Sequence, residues 1–105
     1  MIEFPVSDGT IEKMMCERER VLIEFLDWQE ERWVIIFENV LGFNSVGAIG
    51  AEVSEFFVMD ETPLSKELIL IDSSDAGLSY CFTCARECNI VLIVVASGYT
   101  VEKCD

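Results

Sequence analysis

Residues 21–40, VLIEFLDWQEERWVIIFENV, constrain this chain more than any other stretch. They read as two strands folded back on each other, with Trp28-Gln29-Glu30-Glu31 as the turn. If Asp27 faces Arg32, the two-residue period of a strand sets the rest of the register. One face then carries Val21, Ile23, Phe25, Val34 and Ile36. The other carries Leu22, Leu26, Trp33, Ile35 and Phe37, interrupted by Glu24. A hairpin apolar on both faces belongs in the middle of a structure, where both faces are covered.

The remainder of the chain favours strands. Residues 2–6 suit a short edge strand ended by Pro5 and the Ser7-Asp8-Gly9-Thr10 turn. Residues 11–20 fit either a helical turn or the start of the long strand. Gly42, Gly47 and Gly50 mark bends or bulges, with a kinked third strand expected within residues 43–49. Residues 51–58 fit a helix face (Ile49, Val53, Phe56, Phe57) or a strand equally well. Thr62 before Pro63 is a helix start, a capping hydroxyl followed by proline in the first turn, with Leu64, Leu68 and Ile71 as the apolar stripe. A loop follows over residues 72–77. Residues 78–84 alternate, 85–88 turn, and 89–96 run back as an apolar, β-branched strand that suits a central position. Ser97-Gly98 breaks the chain before residues 99–104. The fold class expected is α+β: a mostly antiparallel sheet of five to seven strands, curled or sandwiched, with one or two short helices. A length of 105 residues leaves room for one domain and one core.

Charge narrows the partners. Twenty acidic residues against seven basic ones, with no histidine, give a formal net charge of −13 on a chain that is 51% hydrophobic. Few surface positions remain for so many carboxylates, so the surface is densely negative. Such a field repels nucleic acid and anionic lipid and steers basic proteins inward. No apolar run reaches the roughly 18 residues of a membrane-spanning helix, and the first residues lack the basic start and apolar run of a secretory signal. A cytoplasmic protein with reduced thiols is expected, since five cysteines cannot all pair.

Catalytic chemistry finds little support. Cys81, Cys84 and Cys88 resemble a metal knuckle, but zinc would require Cys16 or Cys104 as a fourth ligand in the absence of any imidazole. Cys81 and Cys84, three apart on a strand, point to opposite faces. Neither a metal nor another cofactor is therefore expected. A serine or cysteine nucleophile would lack its usual base, and no enzymatic activity is expected. The candidate contact residues are instead acidic and aromatic. Asp27, Glu30 and Glu31 sit at the hairpin turn beside Trp28 and Trp33, and aromatic side chains ringed by carboxylates suit a basic partner. Asp60 and Glu61, and Asp72 and Asp75, are further acidic candidates.

The order of features also resembles a known family. A tryptophan turn precedes Arg32-Trp33-Val34-Ile35-Ile36-Phe37-Glu38-Asn39-Val40, then Gly42-Phe43 and Gly50-Ala51-Glu52-Val53, and finally a tyrosine-bearing strand and a very apolar one. This layout, over residues 20–100, resembles the small acidic immunity proteins encoded beside polymorphic or contact-dependent bacterial toxins. The resemblance lies in layout and composition and carries no binding residue across. It implies a cytoplasmic inhibitor of one cognate toxin C-terminal domain, often a basic nuclease, whose active site or substrate surface it blocks. A homodimeric assembly module without enzymatic activity is the alternative, suggested by the two-faced apolarity of residues 21–37 and 90–96.

Overall fold

The computed structural model describes residues 6–71, 77–84 and 89–104, with residues 69–71 described by their backbone alone. The expectations for residues 2–5, 72–76 and 85–88, Asp72 and Asp75 among them, lie outside the described residues. Among the described residues, eight strands and one helix follow in the order β1 (Gly9–Glu17), β2 (Arg20–Leu26), β3 (Arg32–Glu38), β4 (Gly42–Ser45), β5 (Glu52–Met59), α1 (Pro63–Ile71), β6 (Leu78–Cys84), β7 (Ile90–Ala96) and β8 (Gly98–Lys103). The expected class holds, with more strands than the five to seven anticipated. Residues 11–20 and 51–58, both ambiguous in the sequence, are mostly strand. The kinked strand expected within residues 43–49 is confined to β4. Among the described residues no helix is long and apolar enough to cross a membrane.

The hydrogen-bonded order is β4-β7-β6-β5-β1-β2-β3-β8, with every neighbouring pair antiparallel. The sheet folds over at two places. On one side β1 meets β5 only through Gly9↔Val53 and Thr10↔Glu52. On the other, the β3–β4 and β7–β8 connections cross side by side. There the Ser97 amide donates to the Glu38 carbonyl (3.1 Å) and the Leu41 amide to the Val95 carbonyl (2.8 Å). Asn39 Nδ2 also donates to Ser97 Oγ (3.0 Å). One half of the fold is thus β1-β2-β3-β8 and the other β5-β6-β7-β4. Advancing by four strands maps each half onto the other. Both carry a register shift at the matching place, between Ile11 and Lys13 and between Val53 and Glu55.

The core lies between the halves. Val21, Ile23, Phe25, Ile35 and Phe37 point inward from the first, and Tyr80, Phe82, Leu92 and Val94 from the second. The Phe37 ring stands edge-on to Phe82 (6.4 Å between centroids) and tilted against Tyr80 (5.3 Å) and Tyr99 (6.0 Å). Each large apolar side chain so enclosed contributes about 1.5–3 kcal/mol relative to an exposed one.

The hairpin register corrects the sequence reading by one residue. Arg32 pairs with Leu26, not with Asp27, and Phe37 with Val21. One slip turns a strand over, so Trp33, Ile35 and Phe37 share the inner face with Val21, Ile23 and Phe25. Val34 and Ile36 lie outside with Leu22 and Leu26.

The helix starts where Thr62 and Pro63 place it. Thr62 Oγ1 accepts the Ser65 amide (3.2 Å), and Ser65 Oγ accepts the Thr62 amide (2.8 Å), a reciprocal cap with serine in the usual Glu/Gln position. Thr62 Oγ1 also lies 3.0 Å from Ser79 Oγ, tying the helix cap to the outer face of β6 while the helix packs against β4 and β7. Gly42 permits the approach of α1 to β4, since a Cβ there would stand 2.8 Å from Leu68 Cδ1.

Candidate functional site

The tip of the β2–β3 hairpin is the candidate contact surface, and its shape follows from Asp27. The Glu30 amide donates to the Asp27 carbonyl (2.9 Å), and the Asp27 amide to the Glu31 carbonyl (2.9 Å). Trp28, Gln29 and Glu30 therefore form a three-residue loop, with Glu30 in the left-handed region (φ 64°). The Asp27 side chain completes the turn. Its Oδ1 accepts the amides of Gln29 and Glu31, both at 2.9 Å, and its Oδ2 accepts the Trp33 indole N–H at 2.9 Å.

Asp27 is 3% exposed, so its charge is spent inside the turn. Burial raises its pKa. The Trp33 indole, the Glu31 and Gln29 amides and the positive charge of Lys103 act the other way and prevail, holding the carboxyl below its ordinary value of 3.8.

The remaining candidates separate into exposed and engaged groups. Trp28 is 63% exposed, the one tryptophan held out from the surface. Glu30 beside it is exposed. Glu31 is partly engaged, with Oε2 2.9 Å from Lys103 Nζ. That ammonium also lies 5.9 Å from the centre of the half-buried Trp33 ring, within cation–π range. Arg32 pairs with Glu12 at 3.3 Å. A shallow cleft beside the tip, lined by Glu30, Glu31, Arg32, Lys103 and Cys104, is consequently mixed in charge. Sequence reasoning missed Lys103. It reaches the tip through the Trp33↔Lys103 pairing of β3 with β8, and no local signal announces that pairing.

The acidic candidates do not converge. Thr10 pairs with both Leu26, next to the tip, and Glu52, at the start of β5. Asp60 and Glu61 are exposed but follow the far end of β5. At about 3.3 Å per residue that strand separates the two places by roughly 20 Å along its length. Glu52, Glu55, Asp60 and Glu61 enter none of the ion pairs among the described residues. A second surface feature, which the glycine pattern did not reveal, is the loop after β4. Val46 (66% exposed) and Ile49 (53%) project from it.

The cysteines occupy unlike places. Cys81 is fully buried beneath the helix side of β6, where burial pushes its thiol pKa up. Cys84 is half-buried, and Cys16 and Cys104 are exposed. Among the described residues no three Cys, Asp or Glu side chains are grouped as metal ligands. Comparison with family models, curated proteins and solved structures returns no match.

Proposed function

We propose that this chain is a non-enzymatic inhibitor of the immunity-protein kind, binding one basic partner, such as a toxin C-terminal domain, in the cytoplasm. The observation that carries the reading is the hairpin tip: in a chain of net charge −13 it holds Trp28 out on a turn stiffened by its own buried carboxylate. A preorganised aromatic side chain loses little freedom on binding and suits a pocket on the partner. Glu30 sets a carboxylate beside it. In this account Asp27 shapes the turn without touching the partner, and Glu31 contributes only as far as Lys103 releases it.

Inhibition works by occlusion. Carboxylates take the places that nucleic-acid phosphates would occupy on a basic nuclease, and Trp28 anchors the complex. The general negative field speeds encounter, while the anchor sets the dissociation rate. The layout resemblance of residues 20–100 to immunity proteins supports the same reading.

The test is functional. A basic protein captured by this chain is assayed for nuclease or other toxic activity with rising amounts of inhibitor. Loss of activity at one equivalent supports inhibition. A partner that binds and keeps full activity overturns it.

A further inference from the structure

The two halves of the sheet are treated differently on their outer faces. In the second, α1 packs against β7 and β4 with its cap bonded to Ser79 of β6, and Ser79, Cys81 and Val95 on that side are fully buried. In the first, the matching face carries the cross-strand row Met15–Leu22–Ile36 and, beside it, Val34 and Leu26. These side chains are half-buried, and among the described residues no element lies over them. The β1–β2 connection is a turn of Arg18 and Glu19, in the position where the second half inserts its helix.

Charge indicates what fits there. Lys13 lies 3.9 Å from Glu24, Arg20 lies 3.7 Å from Glu17 and 3.5 Å from Glu38, and Arg32 lies 3.3 Å from Glu12. Three of the seven basic residues of the chain stand on this face, each matched to a carboxylate. With Glu102 opposite Val34 on β8 counted, three cations meet five carboxylates here, an excess of two negative charges on a molecule of −13. A basic partner gains more from the unpaired carboxylates elsewhere. A second copy, itself at −13, meets the least repulsion here.

We infer that the outer face of β1, β2 and β3 is a self-association surface for a second copy of this chain. The contact is twofold and isologous, with Leu22 and Ile36 at its centre. The charges away from the contact still repel, and salt screens them beyond about 8 Å at physiological ionic strength. Dimerisation through this face therefore strengthens as salt rises, whereas attraction of a basic partner to the hairpin tip weakens.

Sedimentation velocity on the purified full chain, over a concentration series at low and high salt, tests this without any partner. The expected result is a monomer–dimer equilibrium that shifts towards dimer with salt. Leu22→Glu shifts it back to monomer, and Trp28→Ala leaves it unchanged. Circular dichroism checks the fold of each variant. If Leu22→Glu does not fold, Ile36→Thr, which keeps a β-branched side chain on the same row, takes its place and gives the same shift. A wild-type chain that stays monomeric at both salts up to its solubility limit overturns the inference. So does a folded variant of either residue that dimerises like the wild type.

Discussion

Asp27 and Trp33 are joined across the mouth of the hairpin, Oδ2 accepting the indole N–H at 2.9 Å while Oδ1 holds two backbone amides of the turn. The contact ties the first residue after β2 to the second residue of β3, so loop shape and strand register are fixed by one carboxylate. Asp27→Ala removes both acceptor oxygens, and with them three hydrogen bonds, and leaves the indole N–H and two amides to find water. We expect a melting temperature several degrees lower, together with a shift in Trp33 fluorescence. An unchanged melting curve would mean that the turn keeps its shape without the carboxylate.

The same group gives a pH dependence. Its folded pKa lies below 3.8, so the folded state favours the ionised form more than the unfolded chain does. The stabilisation is therefore fully present above the unfolded pKa and is lost as pH falls through the lower, folded value. The stability difference between wild type and Asp27→Asn should be flat above about pH 5 and shrink below 3.8. A difference that instead grew on acidification would reverse the assigned direction.

The helix cap offers a separable test. Thr62→Ala deletes the acceptor for the Ser65 amide and the partner of Ser79 Oγ. The cost is about 1 kcal/mol, or a melting shift of roughly 4–8 °C for a domain of this size. Thr62→Ser keeps the hydroxyl and should recover most of it. Urea unfolding of the two variants side by side provides the readout.

Phe37 is the sharpest probe of the core. It is fully buried and its ring touches Phe56, Tyr80, Phe82 and Tyr99, which come from both halves of the fold. Phe37→Ala should cost about 3–5 kcal/mol, close to the whole stability of a small domain. A loss under about 1 kcal/mol would mean that the halves are not held together there.

Much of this architecture is legible in the sequence, and the failures have physical causes. Thr62-Pro63 announced the helix because capping is local chemistry. Residues 90–96 announced a strand because their β-branched side chains suit a buried, paired position. The hairpin is legible in the sequence, but its register is not. With apolar residues on both faces of β2 and β3, the hydrophobic pattern fits either register equally well. The deciding influence is the Asp27 side chain, which draws its own residue into the turn, with Glu30 taking up the left-handed conformation. At the tip, a local reading of sequence finds Trp28 and the acids but treats Asp27, Glu30 and Glu31 as equivalent. Their separate fates depend on Trp33 above the turn and on Lys103, seventy residues further along than Trp33.

The most direct test of the proposed role compares capture by the wild type with capture by Trp28→Ala/Glu30→Lys, both immobilised, from lysate of the source organism. Both substituted residues are exposed, and the variant is checked for an unchanged fold. One basic protein is expected to be retained by the wild type at low salt, released as salt rises, and absent from the variant. Equal retention by both chains, or retention only of proteins that are not basic, would contradict a hairpin-tip interface for a basic partner.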